Sequence, residues 1–359
     1  LRSPHDLVEL GVETITGQPV TAIDRAARSV RLGDGHTLTY DRLLIATGAR
    51  AVRPELPGVH LPGVIAFRTL AHLNHLLAQG PAGGPAVVVG GGLLGLETAV
   101  GLARQGMDVT VVQAAGHLLN RQLDAEAAQV VQRDLEARGI HFELAARSVA
   151  LRGAQHVEAV ELEDGRSIAA RLVVFAIGIS PRVELAQEAG LACNRGVLVD
   201  DALATSDPLI DALGECAEHR GVTYGIVAPL YEQAAMWARR MAGEADAVYA
   251  GSPVSAQLKV SGIDVFSAGE VAPADGAALV LRDPAAGVYR RLNVTDGRLT
   301  GAVLVGDVSD GAWFKQLIDD RTDVAASRRA LVFGRAFAEP LLAAGNTVSS
   351  CEDPAMDKT

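Results

Sequence analysis

Three glycines in the stretch AVVVGGGLLGLE have the spacing of a dinucleotide-binding loop. Gly90, Gly92 and Gly95 form the pattern G-x-G-x-x-G between an apolar run and the start of a helical pattern, which is the context that this fingerprint requires. The first glycine permits a tight turn, the second lets a pyrophosphate approach the backbone, and the third lets helix and strand pack closely. The helix N-terminus supplies N–H groups and partial positive charge for the phosphates. We therefore predict dinucleotide binding here, with Gly91 and Leu94 in the same loop; the alternative is a purely structural turn.

Gln113 ends the strand that follows this helix, where the ribose of the dinucleotide is expected. An acidic residue there binds the ribose 2′-OH of NAD, whereas a nearby arginine favours the 2′-phosphate of NADP. Gln113 carries no charge, and Arg121 is the nearest cation. The sequence thus leaves NAD or NADP open and favours NAD only slightly.

Small residues at three further strand ends indicate a second bound nucleotide. They are Thr47 and Gly48 in ATG, Gly178 in AIG, and Gly214 with Glu215 in LGEC. Small residues let the backbone pass close to a cofactor, and Glu215 could accept hydrogen bonds from hydroxyl groups. Each segment alone is typical of an ordinary buried strand end, so the prediction depends on their order along the chain.

Strand and helix patterns alternate through most of the chain, which predicts an α/β protein. The predicted strands are Val20–Asp24, Ser29–Leu32, Thr37–Tyr40, Arg42–Ala46, Ala86–Val89, Asp108–Val112, His141–Leu144, Val157–Leu162 and Leu172–Ile177. The predicted helices are Ala71–Gln79, Gly92–Arg104, Asp124–Arg138, Pro229–Met241 and Trp313–Asp319. Cys193–Asp211 is interpreted as an irregular segment, and the pattern from Val254 onward indicates a smaller α+β unit.

Composition narrows the class of protein. The 359 residues are 49% apolar and 21% charged, as in a globular protein of two to three domains. The 32 Lys and Arg against 43 Asp and Glu give a net charge of −11, which excludes a nucleic-acid-binding protein. Three scattered cysteines favour a reducing compartment and predict no metal site. With no apolar run long enough for a membrane span and no secretory signal, we expect a cytoplasmic protein.

The order of these motifs resembles that of the FAD-dependent pyridine nucleotide-disulfide oxidoreductases. The stretches GECAEHRGVTYGIVAPLYEQ, LKVSGIDVFSAGE and LTGAVLVGDVSDGAWF are more closely similar to the flavoprotein half, at the N-terminus, of the NAD(P)H-dependent nitrite reductase large subunit. The resemblance runs from about Gly11 to Gly334. It implies two Rossmann-like, three-layer ββα dinucleotide-binding domains and a C-terminal α+β domain.

The resemblance also implies a division of the chain. Residues 1–79 are expected to be the first part of an FAD-binding domain whose N-terminal βαβ unit is missing, and 181–248 its second part. An NAD(P)-binding domain over 80–180, an α+β interface domain over 249–345 and a disordered tail over 346–359 complete the prediction.

The cofactors implied are FAD and NAD(P)H, with electrons passing to a redox partner protein or domain, such as an iron–sulfur or sirohaem acceptor, and with a homo-oligomer or complex as a further expectation. Glu97 resembles the carboxylate near the nicotinamide carboxamide and is the candidate catalytic residue; its alternative is a polar residue on a helix surface. The candidate FAD contacts are Thr47, Gly48, Arg50, Gly178, Gly214, Glu215, Val227 and Ala228, and those for NAD(P)H are Gly90, Gly91, Gly92, Leu94, Gly95, Gln113 and Arg121.

Two departures from the family leave other functions open. The first G-x-G-x-x-G, which binds the ADP part of FAD in the family, is expected upstream of Leu1, and the cysteine-rich segments for iron–sulfur and sirohaem groups are absent from this sequence. We therefore expect no nitrite reduction by this chain alone. An NADH oxidase or peroxidase, and a dinucleotide-binding scaffold without turnover, are the alternatives. His219 is expected in a surface or domain-contact loop, and Cys216 as a buried structural thiol.

Overall fold

The computed structural model describes residues 4–79, 83–252, 255–260, 262–273 and 277–348. Its helices are α1 (Pro4–Glu9), α2 (Leu70–Gln79), α3 (Leu93–Arg104), α4 (Ala125–Ala137), α5 (Glu184–Glu188), α6 (Val227–Met241), α7 (Gly311–Asp319), α8 (Arg328–Leu331) and α9 (Arg335–Val348).

The strands are β1 (Val20–Asp24), β2 (Ser29–Leu32), β3 (Thr37–Thr39), β4 (Leu43–Ile45), β5 (Ala49–Ala51), β6 (Val64–Ala66), β7 (Gly84–Val89), β8 (Met107–Gln113), β9 (Ile140–Leu144), β10 (Ser148–Arg152), β11 (Ala159–Leu162), β12 (Ser167–Ala169), β13 (Leu172–Phe175), β14 (Ile179–Pro181), β15 (Val197–Val199), β16 (Ile210–Ala212), β17 (Ala217–His219), β18 (Ser255–Val260), β19 (Ile263–Gly269), β20 (Ala277–Asp283), β21 (Val288–Thr295) and β22 (Arg298–Val305). The chain divides into two units, one of residues 1–50 with 179–252 and the other of residues 51–178 with 253–359.

A five-stranded parallel sheet of order β6-β13-β7-β8-β9 organises the unit of residues 51–178 and 253–359. Both faces of this sheet are covered, as is usual for parallel sheets, so its central strands are almost continuously apolar. Val87, Val88 and Val109 are fully buried. Helix α3 follows β7 and packs through residues such as Leu96 and Ala99. This β7-α3-β8 arrangement is the predicted β-α-β frame.

The same unit contains a five-stranded antiparallel sheet of order β18-β19-β22-β21-β20. Phe314 on α7 is fully buried against it, with Trp313 beside it. Tyr289, Val303 and Val305 from this sheet belong to the same apolar core as the parallel sheet. The two sheets are therefore packed together within one unit.

The unit of residues 1–50 and 179–252 brings distant segments together in short parallel pairs. Strand β4 pairs with β16, and β15 pairs with β17. Strands β1, β2 and β3 form an antiparallel sheet. Cys216 is fully buried in the core of this unit, as expected for a structural thiol.

The predicted fold class is confirmed: parallel Rossmann-like sheet regions and a C-terminal antiparallel domain make an α/β protein. Two element predictions were wrong. The segment Cys193–Asp211, expected to be irregular, contains β15 and the start of β16, because paired partners from elsewhere in the chain supply their hydrogen bonds. Residues 346–348, expected to belong to a disordered tail, are the last residues of α9; the rest of the expected tail, residues 349–359, lies outside the described residues. The five-part domain division stays a prediction.

Candidate functional site

The G-x-G-x-x-G loop joins β7 to α3, as the fingerprint requires. Gly90 has φ +116°, and a Cβ atom there would lie 2.5 Å from the carbonyl oxygen of Ala176. A Cβ atom on Gly95 would lie 1.8 Å from the carbonyl oxygen of Gly90. No side chain is possible at either position without displacing the backbone, so both glycines are structurally required.

Gly92 differs from its neighbours because the space beside it is open. It is the N-cap of α3 in extended conformation, with no side-chain cap, and a Cβ atom there would meet nothing within 4 Å among the described residues. Neither strain nor crowding therefore requires glycine at this position. Open space beside an uncapped helix N-terminus fits the approach of a pyrophosphate.

Gln113 holds this loop rather than standing free at the end of β8. Its Oε1 accepts a hydrogen bond from the backbone N–H of Gly91 over 2.9 Å, and its Nε2 donates to Oδ1 of Asn120 over 3.2 Å. The N–H of Leu119 donates to the carbonyl of Gly91, also over 2.9 Å. The backbone N–H of Gly91 is thus bonded to the last residue of β8, and its carbonyl to the segment that follows. The sequence analysis missed the hydrogen bond between Gln113 and Gly91, because nothing in the sequence indicates that this glutamine bonds to the backbone.

Glu97 and Leu94 lie on the exposed face of α3, and Arg121 is exposed in the segment after β8. Glu97 borders a groove of about 260 Å³ between α2 and α3 that is lined mainly by leucines. Its side chain is accessible to a ligand, while its role at a nicotinamide remains a prediction.

The ATG and GEC segments meet in the other unit. Strands β4 and β16 are parallel neighbours, with Ile45 opposite Ala212, so the residues after both strands emerge at one edge. A Cβ atom on Gly48 would lie 3.8 Å from Oε2 of Glu215. Thr47 beside it donates its hydroxyl to the carbonyl of Arg182. The structure therefore brings Gly48 next to Glu215, with Thr47 adjacent in the chain.

Helix α6 is tied to the same turn by a residue that the sequence analysis missed. The fully buried Gln233 accepts a hydrogen bond from the N–H of Gly214 over 2.8 Å. Val227 and Ala228 form the exposed start of α6, whose N-cap Ile226 provides no side-chain cap. The position of Gln233 on the apolar face of α6 could have indicated such a hydrogen bond, since a buried amide needs a partner.

These residues fit a bound FAD on three counts. Gly214 has φ +86° with open space at the Cβ position, Glu215 supplies carboxylate acceptors for hydroxyl groups, and α6 directs unpaired N–H groups outward from its start.

Two other candidates for the FAD site, Arg50 and Gly178, are placed differently. Arg50 forms an ion pair with Glu184. A backbone hydrogen bond at Glu184, and then this ion pair, lower the pKa of the Glu184 carboxyl. Gly178 lies after β13, in the parallel-sheet unit, and its carbonyl accepts from Val52.

The sequence analysis predicted that His219 lies in a surface or domain-contact loop. The structure places it instead in β17, with 1% of its surface exposed. Its Nε2 lies 2.9 Å from Oδ1 of Asp201, and its ring is 4.9 Å from that of Tyr249. Arg220 donates to both carboxylate oxygens of Asp201. Hydrogen bonds from Arg220 and then His219 lower the pKa of Asp201 to about 2.

No group of three or more His, Cys, Asp or Glu side chains in the described ranges could hold a metal ion. None of the helices described is both long and apolar enough to cross a membrane.

A Rossmann-like unit with a glycine-rich loop and a second unit whose strand-end residues fit a flavin are typical of a dinucleotide-binding oxidoreductase. Residues 4–240 match the family described as pyridine nucleotide-disulphide oxidoreductase, and residues 253–322 match the rubredoxin NAD+ reductase C-terminal domain. The chain belongs to the pyridine nucleotide-disulphide oxidoreductase family, whose members use FAD and NAD(P)H.

Individual relatives agree with this assignment. The chain is 40% identical over 322 residues to the nitrite reductase [NAD(P)H] of Bacillus subtilis, covering 89% of this chain and 40% of that protein. It is 38% identical to the assimilatory nitrate reductase electron transfer subunit of the same organism, covering 90% and 42%. A ferredoxin reductase structure from Rhodopseudomonas palustris matches with TM-score 0.81 and 28% identity, covering 89% of this chain and 80% of that one. The chain thus spans about two fifths of the length of these two Bacillus relatives.

Proposed function

We propose that this chain is an FAD-dependent NAD(P)H oxidoreductase that delivers electrons to a redox partner protein or domain. The proposal depends mainly on Gly92, in a chain that belongs to this family. The space beside Gly92 is open, and the N-terminus of α3 has no side-chain cap, within a complete β-α-β frame. The relatives named as an electron transfer subunit and a ferredoxin reductase support a protein acceptor. A cytoplasmic location belongs to the proposal.

The residues of the chain divide into two tasks. Gly90, Gly92 and Gly95 shape the loop that receives the pyrophosphate, and the start of α3 stabilises its charge. Glu97 on the exposed face of the same helix orients the nicotinamide carboxamide. When bound, FAD supplies the capacity to accept hydride and release electrons, which the polypeptide itself lacks.

The second task is to hold FAD. Glu215 accepts hydrogen bonds from the ribityl hydroxyl groups, with Gly48 beside it and Thr47 next in the chain. The start of α6, at Val227 and Ala228, directs N–H groups and partial positive charge at the flavin pyrimidine, which stabilises negative charge there. The acceptor is a partner bearing an iron–sulfur, sirohaem or similar centre.

The test begins with the absorbance spectrum of the purified protein, with FAD added if needed. NADH and NADPH are then titrated anaerobically, and reoxidation is followed with ferricyanide and with a [2Fe–2S] ferredoxin. We expect flavin bands that bleach with reduced nicotinamide and return with an acceptor. A protein that binds no FAD would overturn the proposal in favour of a scaffold. Rapid oxygen consumption with slow transfer to the other acceptors would favour an NADH oxidase.

A further inference from the structure

Tyr289 of the antiparallel sheet reaches the parallel-sheet region through a buried hydrogen bond. Its hydroxyl donates to Oδ1 of Asp124 over 3.0 Å, and the two residues are 2% and 6% exposed. Burial, and then the neighbouring Asp124 carboxylate, raise the pKa of the Tyr289 phenol. The phenol is therefore a permanent donor at neutral pH.

Asp124 itself is the N-cap of α4. The same Oδ1 accepts from the backbone N–H groups of Glu126 and Ala127, at 3.0 and 3.2 Å. The other oxygen, Oδ2, is buried without a hydrogen-bond partner among the described residues. The orientation of the Asp124 carboxylate thus depends on hydrogen bonds to Oδ1. Two of these come from the backbone of α4, and the third comes from the side chain of Tyr289.

The residues just before Asp124 lead directly to the dinucleotide loop. Leu118, Leu119 and Leu123 are at most 1% exposed, and the N–H of Leu123 donates to the carbonyl of Leu119 over 2.9 Å. Leu119 in turn donates to the carbonyl of Gly91. One continuous set of buried contacts therefore runs from Tyr289 to the middle of G-x-G-x-x-G.

Leu119 shows why this turn needs anchoring at both ends. Its φ of +51° lies in the left-handed region, which is strained for a residue other than glycine and persists only where its surroundings impose it. Gly91 fixes one end of the turn, and the capped start of α4 fixes the other. Weakening the second anchor favours relaxation of Leu119 and releases the carbonyl of Gly91.

We propose that Tyr289 is a positioning residue for dinucleotide binding, which holds Gly91 in place through Asp124 and the Leu118–Leu123 turn. The inference rests on the proposed function, because it assumes that NAD(P)H binds at this loop. It assigns to the C-terminal sheet a role in cofactor affinity as well as in packing.

The experiment compares Tyr289→Phe, Asp124→Asn and the double variant in the FAD-loaded protein. Dissociation constants for NADH are measured well below the unfolding temperature, with KM and kcat for NADH and ferricyanide. We expect Tyr289→Phe to weaken NADH binding and raise KM by about 3- to 10-fold, within the range of coupling through packed networks. Flavin content and kcat should stay within about twofold, and the effects of the two single substitutions should not add.

Two control variants separate positioning from general stabilisation. Arg282→Gln removes the exposed ion pair of Arg282 with Glu126 at the same contact between the sheet and α4. Tyr249→Phe removes a buried hydroxyl, bonded to Ser252 over 2.7 Å, in the other unit. Both controls should bind NADH like the unaltered protein.

Two results would overturn the inference in distinguishable ways. A Tyr289→Phe protein with a lower melting temperature but unchanged NADH affinity and KM would show a role in stability alone. Absence of NADH binding by the unaltered protein would instead overturn the proposed function, and this inference with it.

Discussion

Gln113 accepts a hydrogen bond from the backbone N–H of Gly91 over 2.9 Å, so the residue expected at the ribose supports the pyrophosphate loop. The side-chain nitrogen of Gln113 also donates to Oδ1 of Asn120, so both ends of the Gln113 amide are hydrogen-bonded within the protein. A glutamine can therefore be retained at the end of β8 for a reason unrelated to the choice between NAD and NADP.

Substitution of Gln113 separates these two roles. Gln113→Leu removes the acceptor for Gly91, and we expect affinity for NADH and NADPH to fall equally, by about tenfold, or about 1.4 kcal/mol. Gln113→Glu keeps an acceptor for Gly91 and adds a charge that repels a 2′-phosphate, so it should raise the NADH to NADPH ratio of kcat/KM. The measurement is steady-state kinetics with both nucleotides. An unchanged ratio in Gln113→Glu would show that residue 113 does not face the ribose.

Gly92 is the glycine whose substitution should affect binding without affecting folding. Gly92→Val meets open space in the protein itself, but its side chain occupies the volume needed by the pyrophosphate, so NADH affinity should fall at least about tenfold. The matched control is Gly101→Val on the same helix, where a Cβ atom also meets nothing within 4 Å. Isothermal titration and circular dichroism check both variants. Equal NADH affinity in the two would remove Gly92 from the site.

Glu215 tests the flavin site. Glu215→Ala removes a charge-assisted hydrogen bond of roughly 1.5–3 kcal/mol, so FAD affinity should fall about 10- to 150-fold while NADH binding is retained. The variant should purify with little flavin and regain its colour with added FAD. Glu188→Ala, at an exposed glutamate in the same unit, serves as the control. Normal FAD occupancy near the dissociation constant in Glu215→Ala would argue that this carboxylate does not contact the cofactor.

Asp201 should make the stability of the protein sensitive to acid. Arg220 and His219 lower the pKa of this carboxyl to about 2 in the folded state, below its unfolded value of about 3.9. Its stabilising contribution is therefore fully present above about pH 4 and is lost as the pH falls toward 2. Melting temperatures of Asp201→Asn should decline less steeply than those of the unaltered protein across this interval. Parallel curves would contradict this, and Asp246→Asn provides an exposed control.

The sequence was most informative where local chemistry and local structure coincide. The loop from Gly90 to Gly95, helices α3 and α4, and strands β1 and β2 could be predicted because periodicity and glycine spacing are local signals. The positions of Thr47 and Gly48, and of Gly214 and Glu215, at strand ends could also be predicted, since small residues after a short apolar run are a local signal. Their role in binding remains a prediction.

The features that escaped prediction depend on partners distant in sequence. The hydrogen bond of Gln233 to Gly214, the pairing of His219 with Asp201, and that of Tyr289 with Asp124 each join residues on different elements. No periodicity records such a pair, and a buried polar residue gives only the weak indication that a partner must exist. The short strands β15 and β16 were missed for the same reason.

The interleaving of the two units has a consequence for synthesis on the ribosome. Strand β4 is synthesised before its partner β16, and residues 46–209 lie between them in the chain. At 5–20 residues per second, synthesis of this stretch takes roughly 8 to 33 s. During this interval the edge of β4 is available to other chains, so the segment around Leu43–Ile45 is one that chaperones must protect in the nascent protein.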